Sequence, residues 1–103
     1  MIRPHNFRCN EMTSVNNYFQ NSLPTSPESI NAQALKEFDS LVDKLKAEGV
    51  EVTVVQDKGQ NDTPDSVFPN NWITFHPGHI YNLYPLFAPN RRLERQIDVL
   101  QDI

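Results

Sequence analysis

A carboxylate, two neighbouring amides and two aromatic rings fall within eight residues in the second half of this 103-residue sequence. The segment reads Asp65-Ser66-Val67-Phe68-Pro69-Asn70-Asn71-Trp72. The Asp65 carboxylate can accept hydrogen bonds from a planar cationic or amide group, and Asn70 and Asn71 can each donate and accept. Phe68 and Trp72 can form an apolar wall beside them. Because a polar loop leads here into a predicted strand, the segment is a candidate binding site for a small polar molecule.

Two cationic residues, Arg91 and Arg92, follow one hairpin later. A guanidinium from either residue can bind a substrate carboxylate. All these residues also have structural interpretations, which the sequence leaves open. Asp65 can cap a turn after Pro64, the two asparagines can form a turn pair, and the two arginines can be solvated at the start of a helix.

Covalent and metal chemistry has little support in the sequence. The three histidines, His5, His76 and His79, show no metal-ligand spacing with a cysteine or a carboxylate pair, so we expect no metal site and no cofactor. Cys9 precedes a loop and has no assignable base, which favours a packing role over nucleophilic catalysis. We therefore predict no catalytic residue within these 103 residues.

Composition and charge disfavour several classes of partner and of protein. The chain carries 9 basic and 13 acidic side chains, for a net charge of -4. This disfavours nucleic acid and anionic membranes as partners, because phosphate groups bind cationic surfaces. No apolar run reaches the roughly eighteen residues that span a bilayer, the N-terminus lacks the layout of a signal peptide, and a single cysteine excludes an internal disulfide. We expect a soluble, cytoplasmic protein with one domain.

The elements that must position these residues follow an α/β order. We predict a strand over 1–8, a loop over 9–26, a helix over 28–48, a strand over 50–55, an active-site loop over 56–71, a hairpin over 72–84 and a second helix over 90–103. A capping box at Thr25-Ser26-Pro27-Glu28 and Gly49 set the bounds of the first helix. The last helix carries an apolar stripe, Leu93, Ile97 and Leu100, which the remainder of the protein's own chain or a second copy should cover. The chain is thus expected to be truncated.

Three stretches resemble the arginine deiminase-like, or pentein, superfamily, which includes dimethylarginine dimethylaminohydrolases, arginine deiminases, amidinotransferases and citrulline hydrolases. They are Met1-Ile2-Arg3-Pro4-His5-Asn6-Phe7 with Asn16-Asn17-Tyr18-Phe19-Gln20, Thr63-Pro64 with the segment that follows it, and Tyr84-Pro85-Leu86-Phe87-Ala88-Pro89-Asn90-Arg91-Arg92-Leu93-Glu94-Arg95. The resemblance covers essentially the whole chain. Among the branches, the citrulline hydrolase-like group, often labelled amidinotransferase, is the most similar.

The resemblance implies an α/β fold, a five-bladed propeller of ββαβ-type repeats, of which this chain would supply the first blade, truncated after the start of the next helix. It also implies hydrolysis or amidino transfer at the guanidino or ureido carbon–nitrogen bond of an arginine- or citrulline-like amino acid. The cysteine nucleophile and histidine acid/base would lie downstream of these residues. Asp65 would hold the guanidino or ureido nitrogens, Phe68 would line the pocket, and Arg91 or Arg92 would orient the substrate.

One departure from the family bears on the substrate. Asn70 and Asn71 stand where the dimethylaminohydrolases carry Glu-Asp, which removes two potential negative charges. A cationic guanidinium is stabilised by carboxylates, whereas a neutral ureido carbonyl needs donors, which amides have. We therefore expect a neutral, citrulline-like substrate for the parent enzyme. The alternatives are a non-catalytic, stand-alone interaction module derived from this fold, and a generic α/β ligand-binding domain.

Overall fold

The computed structural model describes residues 1–13 and 26–103 of the chain. In chain order its elements are β1 (Ile2–Arg3), α1 (Pro27–Ala47), β2 (Val55–Gln56), a 3-10 turn (Pro69–Asn71), β3 (Ile73–His76), β4 (Ile80–Leu83), α2 (Pro89–Arg92) and a 3-10 helix (Ile97–Asp102). Most of the predicted loop over 9–26, including the family-like stretch at 16–20, lies outside the described residues. None of the helices in these two ranges is apolar over a length that would cross a bilayer.

α1 begins and ends where local sequence signals place its bounds. The Ser26 hydroxyl accepts a hydrogen bond from the backbone N–H of Ser29 at 3.3 Å, as expected for an N-cap serine. At the other end, Gly49 has a φ of +82°. The N–H of Val50 donates to the carbonyl of Leu45 at 3.0 Å, which is the bond of a Schellman motif. The helix therefore lies within one residue of its predicted bounds at each end.

β1 and β2 form a short parallel pair, with α1 in the connection between them. Both strands are shorter than predicted. The strand predicted over 1–8 ends early because Pro4 has no N–H to donate to a ladder. The strand predicted over 50–55 is paired only from its last residue onward, since in this register Met1 already lies opposite Val54.

β3 and β4 form a hairpin inside the range predicted for one, 72–84, with four paired residues in each strand. The turn between them takes Gly78 and His79 through positive φ values of 83° and 59°. One further bond, from the N–H of Tyr84 to the carbonyl of Trp72 at 2.8 Å, extends the pairing beyond β3. This pairing holds the end of the candidate segment in place.

The second predicted helix, over 90–103, is wrong as a continuous element. α2 is only four residues long, and a 3-10 helix begins at Ile97. Between them the N–H of Gln96 donates to the carbonyl of Glu94 at 2.8 Å. Leu93 and Ile97, from the predicted apolar stripe, are 49% and 53% exposed. Because burial of an apolar face supplies most of the stability of a helix in a protein, little within the described residues favours a continuous helix here.

Apart from the buried prolines Pro4 and Pro64, the buried apolar side chains come from α1, from the start of β3 and the residue before it, and from the residue before α2. They are Phe38, Val42, Trp72, Ile73 and Ala88. Trp72 ends the candidate segment, and Ala88 leads into the helical turn that carries the two arginines. The core therefore anchors both halves of the candidate site.

Substitution of Gly59 should destabilise the protein more than substitution of Gly49, although both have positive φ, of 69° and 82°. An added Cβ at Gly59 would lie 2.5 Å from Cδ2 of the His5 ring, whereas one at Gly49 meets no described atom within 4 Å. We expect Gly49→Ala to lower the free energy of unfolding by about 1–2 kcal/mol through the left-handed backbone alone. Gly59→Ala should lower it further because the ring must move.

Urea unfolding of both variants measures this difference. In the double variant His5→Ala/Gly59→Ala, the loss in free energy of unfolding should be no larger than in Gly49→Ala. Equal losses for the two single alanine variants would contradict the proposed contact.

Candidate functional site

Asp65 lies in a turn, with its side chain largely buried at 15% exposure. The N–H of Phe68 donates to its backbone carbonyl at 3.0 Å, which fixes the direction of the turn. The Asn10 side-chain amide donates to Oδ2 of Asp65 at 2.7 Å. Among the described residues no hydrogen bond reaches the other oxygen, Oδ1. The carboxylate is therefore held at one oxygen and available at the other.

Asn10 joins the N-terminal segment to α2 through a reciprocal amide pair. Its Nδ2 donates to Oδ1 of Asn90 at 3.1 Å, and Nδ2 of Asn90 donates back to Oδ1 of Asn10 at 2.9 Å. The backbone N–H of Met12 also donates to Oδ1 of Asn10, at 3.0 Å. Asn10 is only 1% exposed. Because both asparagines are held in this way, the amide that contacts Asp65 has a defined orientation.

Arg91 places a cation directly beside Asp65, with 3.7 Å between its Nε and Oδ2 of the carboxylate. Its guanidinium donates to both oxygens of Glu94, at 3.2 and 3.1 Å. Nη2 also donates to Oδ1 of Asn71 at 3.0 Å. The remaining nitrogen, Nη1, makes no hydrogen bond within the part of the chain that the structure describes. Arg91 is thus rigidly oriented and keeps one donor group available.

Asp65, Arg91 and Glu94, with Asn71 bonded to Arg91, form a charged cluster. Glu94 is its most deeply buried carboxylate, with a side chain that is 1% exposed. Burial raises its pKa from the ordinary 4.5 to about 6, although the hydrogen bonds and charge of Arg91 act in the opposite direction. The negative charges of Asp65 and Asp57 add to the increase. A carboxylate removed from water in this way and bonded at both oxygens to one guanidinium serves mainly to orient that guanidinium.

Asp57 supports the turn that carries Asp65. One of its carboxylate oxygens accepts from the hydroxyl of Thr63 at 3.1 Å, and the other accepts from the N–H of Gly59 at 3.0 Å. Both Asp57 and Thr63 are buried. The segment leading into the candidate site is therefore fixed by a buried hydrogen-bonded network.

The other predicted site residues lie outside this charged cluster. Phe68 is 42% exposed and meets the ring of Phe7 edge-on, with 6.3 Å between the ring centroids and an interplanar angle of 67°. Asn70 is exposed. Arg92 donates to the backbone carbonyls of Leu86 and Phe87, at 3.0 and 2.9 Å. Of the two arginines that the sequence predicted as substrate-binding, Arg91 is thus the one that lies beside Asp65.

The sequence of residues 3–103 matches the family described as N,N dimethylarginine dimethylhydrolase, eukaryotic. The chain belongs to this family. No curated protein and no solved structure matches the chain. The match confirms the predicted resemblance at the level of the dimethylarginine hydrolases, with hydrolase chemistry and arginine metabolism as the setting. The closer likeness to the citrulline hydrolase-like group stays a prediction.

Two residues of the candidate site, Asn10 and Glu94, were not selected from the sequence. Asn10 contacts side chains 55 and 80 positions away in the chain, and no local pattern announces such contacts. One feature of the sequence could have identified Glu94. It lies three residues after Arg91, which is the spacing of an ion pair on a helix. That spacing is common on exposed helices, so it did not distinguish Glu94 from a surface residue.

The three histidines of this dimethylarginine dimethylhydrolase family member have neighbours other than Asp65, Arg91 and Glu94. His5 lies against Gly59, and the Nε2 of His76 lies 2.9 Å from the hydroxyl of Thr74. His79 occupies the hairpin turn. In the described ranges no group of three or more histidine, cysteine, aspartate or glutamate side chains could hold a metal ion.

Proposed function

We propose that this chain forms the amino-acid-binding part of a hydrolase that acts on a methylated arginine. Hydrolysis would add water across the guanidino carbon–nitrogen bond, release dimethylamine and leave a ureido product. Membership of the dimethylarginine dimethylhydrolase family supports the reaction class. One observation carries the binding role: Asp65 and Arg91 lie side by side, 3.7 Å apart, each with one polar group available.

An adjacent carboxylate and guanidinium are complementary to the α-amino end of a free amino acid. The α-ammonium and α-carboxylate groups are attached to one carbon, so their charges lie as close together as those of Asp65 and Arg91. Oδ1 of the aspartate would accept from the ammonium, and Nη1 of the arginine would donate to the carboxylate. Charge-assisted hydrogen bonds of this kind are about twice as strong as neutral ones.

The same geometry favours a role for Asp65 that differs from the one the family resemblance implied. The guanidino group of a substrate is itself a cation, and at this carboxylate it would also lie close to the positive charge of Arg91. Like charges at such short distance repel. The α-ammonium is also a cation, but the α-carboxylate on the same carbon can pair with Arg91, whereas a guanidino group brings no anion with it. We therefore propose that Asp65 binds the α-ammonium, and that the guanidino end extends away from Arg91. Asn70 and Phe68, which are both exposed, are proposed to contact that extended part.

We further propose that the fold is the first blade of a five-bladed propeller and that the remainder of the protein's own chain completes it. The parallel β1–β2 pair, α1 and the hairpin are consistent with a repeat of mixed α/β type. A cavity of about 340 Å³ has mainly apolar lining, which includes Ile2, Val52, Ile73, Leu100 and Ile103. Exposed apolar surface of this kind is typical of an interface with further protein.

The covalent steps are proposed to use a cysteine and a histidine outside these 103 residues. A thiolate would attack the guanidino carbon, and dimethylamine would leave with a proton from the histidine. Water that gives a proton to the same histidine would then attack the carbon, and the carbon–sulfur bond would break to restore the thiolate and the protonated histidine. Asp65 and Arg91 would hold the substrate in position for the attack, and Glu94 would orient Arg91.

A non-catalytic interaction module is the second candidate function. The half-exposed Leu93 and Ile97 favour it, because such a stripe could be buried against a second copy of the chain. Dimerisation of the natural protein at micromolar concentration, without turnover of any guanidino or ureido amino acid, would support this alternative.

A substrate comparison with the purified natural protein tests the proposed function. Dimethylamine release from NG,NG-dimethylarginine and ammonia release from arginine and citrulline would be measured under the same conditions. We expect kcat/KM for dimethylarginine to exceed both others by at least about tenfold, since methyl groups in a fitted pocket discriminate on this scale. Preferential turnover of citrulline would contradict the proposal and support the neutral substrate that the asparagine pair predicts.

A further inference from the structure

We propose that a single buried water molecule links Ser66 to Glu94, which makes Ser66 a positioning residue for the Glu94–Arg91 pair. The water would occupy a small cavity that Ser66 and Glu94 both line. The existence of the water does not depend on the proposed function. Its effect on substrate binding does rest on that function, because it acts through Arg91.

The cavity has the size and the lining that a water requires. Its volume is about 20 Å³. Its polar lining residues are Ser66, Glu94, Asp57, Gln56 and Gln96, and Trp72 is among its apolar ones. A buried water needs a cavity of about 10–15 Å³ or more and two to four polar partners. The volume therefore fits one water.

Ser66 supplies the second observation that points to a ligand. The residue is 6% exposed, and its hydroxyl oxygen is buried without a hydrogen-bond partner among the described residues. Buried hydroxyl groups in folded proteins are almost always hydrogen-bonded, to protein or to ordered water. Since Ser66 lines the cavity, a water there would provide the missing partner.

The carboxylates beside the cavity can accept what a water donates. Glu94 bonds both its oxygens to Arg91, and Asp57 accepts from Thr63 and Gly59. Each carboxylate oxygen has a second acceptor site. A water that accepts from the Ser66 hydroxyl can therefore donate to Glu94 and to Asp57 at the same time.

The water would stabilise the ionised form of Glu94. The charged groups around this carboxylate are Arg91, which favours ionisation, and Asp65 and Asp57, which oppose it. A hydrogen bond donated to a carboxylate lowers its pKa. The water should therefore hold the pKa of Glu94 below the value of about 6 that burial and the neighbouring charges give this carboxyl group. Loss of the water should raise the pKa toward that value, so that less of the carboxylate is ionised and bonded to Arg91.

Ser66→Ala tests the proposal, with Ser40→Ala as a matched control on the exposed face of α1. A high-resolution crystal structure of the wild-type protein should contain a water within hydrogen-bond distance of Oγ of Ser66 and of an oxygen of Glu94. Carbon-13 NMR of the Glu94 carboxyl group should show a titration midpoint that is at least about 0.5 pH units higher in Ser66→Ala than in the wild-type protein. This difference corresponds to about a threefold gain in proton affinity. Ser40→Ala should leave the midpoint unchanged.

Two results would overturn the proposal: a dry cavity in the wild-type crystal, or equal Glu94 midpoints in the wild-type protein and Ser66→Ala. If Ser66→Ala does not fold, the wild-type crystal alone decides. Neither readout requires a substrate, so a negative result here is distinguishable from a failure of the proposed hydrolase function.

Discussion

Asp65→Asn should lower kcat/KM for NG,NG-dimethylarginine by about 100-fold or more in the natural protein that contains these residues. The substitution keeps the shape of the side chain and removes its charge. Truncating one partner of a buried, hydrogen-bonded charge pair costs about 2–5 kcal/mol of binding, and each 1.36 kcal/mol corresponds to about tenfold. Steady-state kinetics with dimethylamine detection provides the measurement.

The fold should tolerate Asp65→Asn because Asn10 can still donate to an amide oxygen at this position, and Arg91 keeps its two bonds to Glu94. Asp39→Asn is the matched control. Asp39 accepts from Arg3 at 2.8 and 2.9 Å on an exposed part of α1, away from the candidate site. A similar kcat/KM for Asp65→Asn and Asp39→Asn would remove Asp65 from the binding site.

Glu94→Gln should weaken substrate binding by about 10- to 100-fold, mainly through KM, without loss of stability. An amide retains one acceptor for the Arg91 guanidinium and loses the other, so the arginine is held less rigidly. Small displacements of a positioning group have effects of this size. Kinetics at pH 7.5, with Glu37→Gln on the exposed face of α1 as control, measures the change.

The pH dependence identifies the group responsible. Since the pKa of Glu94 is raised from 4.5 to about 6, wild-type affinity for the substrate should fall as the pH decreases through 6, and Glu94→Gln should show no such step. Between pH 4.5 and about pH 6, Glu94 is protonated more often in the folded state than in the unfolded state. The contribution of Glu94 to the free energy of unfolding therefore rises as the pH falls from about 6 to 4.5. Glu94→Gln should therefore be at least as stable as the wild type above pH 6. An affinity step near pH 6 that persists in Glu94→Gln would assign it to another group.

Local signals in the sequence were sufficient for α1 and for the hairpin. Ser26 and Gly49 supply caps that act within a few residues, and the β-branched and aromatic residues of β3 and β4 pair across a short turn. The bounds of β1 and β2 were less predictable, because they depend on a register between residues more than fifty positions apart. The continuous second helix was predicted from its apolar stripe, which is half exposed and so gives little support to helical packing.

Some residues of the candidate site could be predicted from the sequence, and others required the structure. Asp65 and Arg91 carry a charge that any sequence-based search for binding groups would select, and the structure brings them together. Arg92 has the same chemistry but is bonded to the carbonyls of Leu86 and Phe87, which composition alone does not reveal. Asn10 is important because its side chain contacts Asp65, which lies 55 positions later in the chain. Such long-range contacts are the part of the site that requires a structure.

The most direct test of the account compares NG,NG-dimethylarginine with its des-amino analogue, in wild-type protein and in Asp65→Asn. If Asp65 binds the α-ammonium, the wild type should prefer the amino acid by about 100-fold in kcat/KM, the same 2–5 kcal/mol scale as the lost charge pair. Asp65→Asn should then turn over both compounds at nearly equal, low efficiency. A wild type that does not distinguish the two compounds, or a variant that keeps the full preference, would contradict the claim that Asp65 and Arg91 hold the amino-acid end of the substrate.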